Sequence, residues 1–172
     1  MNYELMLVIL LLGAVITFGI YMTITTVSDK VFEKQKWDLR AKSTSITLPL
    51  RLQAYERLCL FLERISPNSL LLRLVPSAMS ALELQQLLLQ EIREEYNHNV
   101  AQQLYISTQA WEQVTNAMNE TMAAINQAAL EVSAEAPPAE LAKKIFSQVI
   151  EKETQPVAHA LKVLKEEIRQ IF

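Results

Sequence analysis

The residues from Arg93 to Ser107, REEYNHNVAQQLYIS, concentrate the side chains that could do chemistry. Two glutamates, two tyrosines, a histidine, two asparagines and two glutamines fall within one short segment. Glu95-Tyr-Asn-His98 has the Glu-x-x-His spacing that helix-bundle di-iron proteins use. Such a centre needs a second pair of the same kind and two further glutamates from facing helices. The only other histidine is His159, and Pro156 stands three residues before it, so no second pair exists. A mononuclear site built from His98, His159 and one glutamate is the metal chemistry that remains. For acid–base work a carboxylate and an imidazole must share a desolvated pocket. Glu94 and His98, four apart on a helix, read instead as an exposed ion pair.

Recognition suits the segment better than reaction. A merely soluble face would be rich in Lys and Glu. Amides and tyrosine hydroxyls can each donate and accept, which fits a half-buried contact surface. The candidate contact residues are Tyr96, His98, Asn99, Gln102, Gln103, Tyr105 and Trp111. A plain solvated helix face is the competing reading. No residue is assigned a catalytic, cofactor-binding or metal-binding role, and no cofactor is expected. The chain also lacks a glycine-rich phosphate loop, a nucleophile elbow and a Cys–His pairing.

The element that must carry these residues begins at Ser80. Ser80-Ala-Leu-Glu83 is a capping box, in which serine and glutamate satisfy free amides of a first helical turn. No proline or glycine follows until Pro137. Apolar residues recur through Leu84, Leu88, Ile92, Tyr96, Val100, Leu104, Trp111, Val114, Met118, Met122, Ile125, Ala129 and Val132 at near-helical spacing. This predicts one amphipathic helix over 81–133, about 75 Å long, with a hairpin broken near 97–99 as the alternative. In that helix Asn99 and Gln103 lie at the edge of the apolar stripe. Glu91, Glu94, Glu95, His98 and Gln102 lie opposite it.

Around that element the chain reads as all-α. It has two glycines in 172 residues, and its six prolines act as punctuation. Thr47 and Pro49 open a helix over about 48–65. A short apolar link, NSLLLRLVP, follows Ser66-Pro67. Pro137 and Pro138 open a helix over about 138–153, and Thr154 with Pro156 opens the last, 155–172. The stripe of that last helix, Val157, Leu161, Leu164, Ile168 and Phe172, needs a partner surface. The long helix, packed antiparallel, supplies one. The sole cysteine, Cys59, lies within LCLFL and reads as a small buried apolar residue.

Leu5 to Val27, LMLVILLLGAVITFGIYMTITTV, carries no charge. As a helix it rises about 35 Å, enough to cross a hydrocarbon core of about 30 Å. A cleaved signal peptide would have a basic start and a small-residue exit. Here the start is Met1-Asn-Tyr-Glu4 and the exit Ile24-Thr-Thr-Val-Ser28. A retained transmembrane helix over 5–27 is therefore expected. Lys30, Lys34, Lys36, Arg40 and Lys42 follow it and nothing basic precedes it. By the positive-inside rule the C-terminal domain is cytoplasmic and residues 1–4 form an external tail. Residues 28–46 form a charged connector, in which Trp37 rests either at the lipid interface or in the domain core.

Charge is sorted along the chain. Asp29 to Arg73 holds nine Lys and Arg against five Asp and Glu, whereas Glu83 to Glu140 holds one Arg against nine Glu. The basic part lies next to the anchor, where anionic head groups would attract it. An acidic distal region argues against nucleic-acid binding, which needs a concentrated basic face.

The stretches LRLQAYERLCLFLERISPNSLLLRL and REEYNHNVAQQLYIS with AW just after, and the ending ALKVLKEEIRQIF, resemble an uncharacterised family of short membrane-anchored proteins from Bacteroidota-type bacteria. The resemblance covers nearly all of residues 45–172. It implies a Gram-negative inner-membrane setting and no particular mechanism.

The expectation is thus an N-terminal transmembrane helix followed by a small helical bundle, 47–172, built around one long amphipathic helix. Its partners would be the lipid bilayer and a protein or a second copy of the chain. Nucleic acid and a small-molecule substrate are not indicated. A stalk-like subunit of a larger membrane complex and a helical-bundle metal enzyme are the rival readings.

Overall fold

The computed structural model describes residues 3–151 and 155–170, and these form helices, tight 3-10 turns and short links, with no strand among them. Helix α1 spans Tyr3–Ile65, α2 Pro67–Leu74, α3 Ala81–Asn99, α4 Thr108–Ala129, α5 Pro138–Glu151 and α6 Pro156–Arg169. The all-α expectation with an apolar N-terminal helix holds. The chain divides into two compact units, the first ending at Leu48 and the second running from Pro49.

The first unit is helical and carries the segment long and apolar enough to cross a membrane, Ile9–Thr26, none of it buried by the rest of the protein. The threonines of that segment are already satisfied. Thr17, Thr23, Thr25 and Thr26 each donate their hydroxyl to carbonyls three or four residues back, at 2.8–3.2 Å. A hydroxyl with an in-helix acceptor can enter hydrocarbon without leaving its donor orphaned. Gly13 and Gly19 have open space where a side chain would stand.

No separate helix begins at residue 47. Helix α1 runs through the charged segment, whose Lys, Glu, Gln and Arg residues are good helix formers. Thr47 donates its hydroxyl to the Ser43 carbonyl at 3.0 Å instead of capping a new first turn. Pro49 lies inside the helix. Lacking an N–H, it leaves the Ser45 carbonyl without its usual helical partner. Trp37 is 67 % exposed and no part of a core.

The second unit is the bundle. Ala54, Tyr55, Leu58, Phe61, Leu62 and Ile65 form one buried face at the end of α1. The core continues with Leu70 and Leu71 of α2 and Leu84, Leu88 and Ile92 of α3. Val114, Ala117 and Ile125 of α4, Leu141 and Ile145 of α5, and Leu161 and Leu164 of α6 complete it. Each fully buried Leu or Ile contributes about 1.5–3 kcal/mol relative to exposure. The segment after Ser66-Pro67 is more than a link. Ser66 caps α2, with Pro67 in its first turn.

The continuous helix expected over 81–133 is not formed. Helix α3 ends at Asn99, a 3-10 turn covers Val100–Leu104, and α4 starts at Thr108 with Ser107 as its cap. The break falls just beyond the alternative position at 97–99. Two local competitors explain it. The Asn99 amide donates to the Glu95 carbonyl at 2.8 Å, engaging a helix acceptor from the side chain. Ser107 accepts from the Ala110 amide at 3.1 Å, which starts a new helix. Leu104, placed on the buried stripe by periodicity, is 80 % exposed in the turn.

Helices α3 and α4 run antiparallel. The first-turn amides of Ala81 and Leu82 donate to the carbonyls of Ala136 and Ala134, just past the end of α4, and Gln85 bonds Asn126 at 2.9 Å. The capping box at Ser80 forms in a shifted version. Ser80 accepts from the Glu83 amide at 3.2 Å, and the Glu83 carboxylate reaches Met79 N at 2.7 Å. Helix α6 packs along α4 in the opposite direction, as its stripe requires, with its C-terminal Glu167 at Ser107. Leu161 and Leu164 are buried and Val157 and Ile168 half-buried. Thr154, Phe172 and the expected end of α5 at Glu153 lie outside the described residues. Gln155 is the residue preceding α6, and its side chain makes no capping bond.

Candidate functional site

The seven candidate contact residues separate into a supporting group and a presented group. Tyr96 on α3 stands between Phe61 of α1 and Trp111 of α4, with ring centroids 6.4 Å and 5.8 Å away. Both Tyr96 and Trp111 are half-buried against the core. Such tilted aromatic pairs add about 0.5–1.5 kcal/mol beyond the area they bury. Asn99 is buried and holds its own helix end. Gln102 is half-buried, and its carbonyl accepts from Tyr105 N at 3.0 Å. His98 and Gln103 are exposed, and Tyr105 is 36 % exposed. The half of the stretch that suited a contact surface thus splits: aromatic rings brace α3 against α4, while His98, Gln103 and Tyr105 face outward.

Two polar joints surround this region, and the sequence reading identified neither. In the first, Glu167 of α6 receives three hydrogen bonds. The Tyr55 hydroxyl donates at 2.6 Å, Ser107 N at 2.9 Å and Ser107 Oγ at 2.5 Å. Arg51 closes the joint by donating to the Tyr105 carbonyl at 3.1 Å and to the Tyr55 hydroxyl at 3.4 Å. Burial pushes the Tyr55 phenol up to about 12, and the Glu167 carboxylate pushes the same way. Burial also works to raise Glu167. The bonds from Ser107 and Tyr55, with the Arg51 charge, outweigh it and hold this carboxyl below its ordinary range. In the second joint Glu91 and Glu95 of α3 meet Arg64 of α1 and Arg73 of α2. Arg73–Glu91 is 2.7 Å and Arg64–Glu95 2.6 Å. The Arg73 bond, against some burial and with help from Arg64, lowers Glu91. A third contact, Glu131 with Lys144 and Gln148, fastens the end of α4 to α5.

The chemistry of these joints is positional. Ser107 donates to a carboxylate that is a poor base at neutral pH, and it also caps α4. An activated nucleophile needs a neighbour able to take its proton. Glu95, half of the Glu-x-x-His pair, is ion-paired to Arg64. Among the described residues no three His, Cys, Asp or Glu side chains group to hold a metal ion. Cys59 is half-buried, and burial, the largest influence on it, pushes its thiol up, away from a reactive thiolate.

Joints of this kind escape a linear reading because their members are distant. Tyr55 and Glu167 are 112 positions apart, and Ser107 and Glu167 are 60 apart. The local trace was Arg51 and Tyr55, one helical turn apart on the buried side of α1.

The sequence pattern described as "Family of unknown function (DUF7935)" matches residues 2–171, nearly the whole chain. The chain belongs to this family. The match takes in the apolar N-terminal helix together with the bundle, so the two units are one family architecture. No match was found among curated proteins, nor among solved structures.

Proposed function

We propose that this protein is a single-span membrane anchor for a helical interaction module, holding a protein partner or a second copy of the chain at the cytoplasmic face of a bacterial inner membrane, without catalysing a reaction. The observation that carries this reading is the uncovered apolar segment Ile9–Thr26. A helix so apolar on every side belongs in hydrocarbon. The self-satisfied threonines within it support a retained span. The lysines that follow it support the cytoplasmic side. His98 in the last turn of α3, and Gln103 and Tyr105 in the link that follows, face outward between two well-packed helices and are the contact residues of choice. An unbroken 63-residue α1 favours a second reading, a stalk-like accessory subunit of a larger membrane complex, since Pro49 does not end the helix.

Crosslinking in gentle detergent, followed by capture of the full chain, tests the contact surface. The variants His98→Ala, Gln103→Ala and Tyr105→Ala should each lose the same crosslinked species. If the captured species are unchanged in all three, these residues are not the contact surface.

A further inference from the structure

Two cavities meet on the side of the bundle formed by α4 and the start of α6. The first, about 370 Å³, has apolar walls from Ala124, Phe146, Val149 and Leu161, with Glu63 and Glu120 also lining it. The second, about 440 Å³, has polar side chains in its wall, Gln113, Asn116 and His159 among them. Glu120, Gln155 and Pro156 line both, so the two form one cleft with an apolar lobe and a hydrogen-bonding lobe. Its dimensions fall in the range of small-molecule sites, about 300–1,000 Å³.

Charge decides what fits. No Lys or Arg lines either lobe among the described residues, and neither Glu63 nor Glu120 has an ion-pair partner there. Two helix starts, those of α2 and α6, also open onto the apolar lobe. Each contributes at most about half a positive unit. Among the described residues, two full carboxylates therefore leave the rim negative by about one unit. An anionic head group is disfavoured there. A cationic head finds Glu120 at the junction of the lobes, with amides beyond it as further acceptors.

We propose that this cleft binds a small amphipathic amine, its apolar body against Phe146 and Leu161 and its ammonium against Glu120 and Glu63. The site lies apart from His98, Gln103 and Tyr105 and does not depend on their role. Hexylamine, hexanol and hexanoate, which share a tail and differ in head, test it by ligand-observed NMR on the full chain in lipid nanodiscs, with empty nanodiscs subtracted. Hexylammonium should bind at least tenfold more tightly than hexanoate, with hexanol between. Glu120→Gln should weaken hexylammonium about three- to tenfold and leave hexanol unchanged; the exposed Glu112→Gln should change neither. Glu63→Gln, also exposed, should act in the same sense as Glu120→Gln. Equal binding of the three heads, binding no greater than to empty nanodiscs, or an amine affinity indifferent to both carboxylate variants would overturn the proposal.

Discussion

At the scale of single residues, Glu167 has the widest reach, since it binds α1 through Tyr55 and the start of α4 through Ser107. Replacing it with Gln keeps the size but removes the charge and one of the two acceptor oxygens that three donors share. A loss of about 1–3 kcal/mol in unfolding free energy is expected from leaving such partners poorly matched. The sign with pH follows from the depressed carboxyl. Its contribution is fully present above the unfolded carboxyl value and lost as pH falls through the lower folded value. The Glu167→Gln variant should therefore show a shallower acid decline than the parent, read from denaturation midpoints between neutral and strongly acid pH. Equal slopes would show that Glu167 does not titrate as placed. Tyr55 works at the other end. Its raised phenol stabilises the fold below about 10 and ceases to do so as pH rises through about 12. By contrast Arg73, about a third exposed, should cost no more than about 1 kcal/mol on change to Ala. Little of this was legible in the sequence. A glutamate near the chain end and a serine inside a polar stretch carry no mark of their pairing, because the pairing exists only once α6 lies against α4.

At the scale of elements, periodicity found the buried faces but not where the helix turns. Leu84, Leu88 and Ile92, and then Val114 and Ile125, were all readable as core positions, whereas the buried Ala117 was not. Averaged over the interval between them, the spacing stayed near helical. A helix that doubles back can keep that average, so periodicity alone does not separate one long helix from two. The signals that did separate them were Asn99 and Ser107, side chains that compete with the helix ladder and cap a new start. Pro49 misled in the opposite sense, read as a beginning though the helix runs through it. The hairpin makes a sharp prediction. With Cys59 first changed to Ala, Gln85→Cys and Asn126→Cys should be joined by a short bifunctional maleimide within one molecule, since the native side chains hydrogen-bond at 2.9 Å. In a continuous helix those positions, 41 residues apart, would stand about 60 Å from one another and no link would form. Ser107→Ala should also cost about 0.5–2 kcal/mol, the usual loss of a serine N-cap, with the lost Glu167 bond tending toward the upper figure.

At the scale of the whole molecule, the all-α class and the apolar first helix were plain from composition and from a charge-free run of residues. Both properties depend on many residues at once and survive local error. Function was not legible in the same way. The segment richest in chemical side chains proved half structural, with Tyr96 half-buried against the core and Glu95 paired to Arg64. The central claim is that Ile9–Thr26 remains in the mature protein and fixes it in a bilayer. It is tested most directly by fractionating cells that express the full chain with a C-terminal tag, washing the membranes at alkaline pH, and measuring the intact mass of the tagged product. The account predicts a chain that stays in the washed membrane pellet with residues 5–27 still attached. A tagged product found in the soluble fraction and shortened by those residues would contradict it.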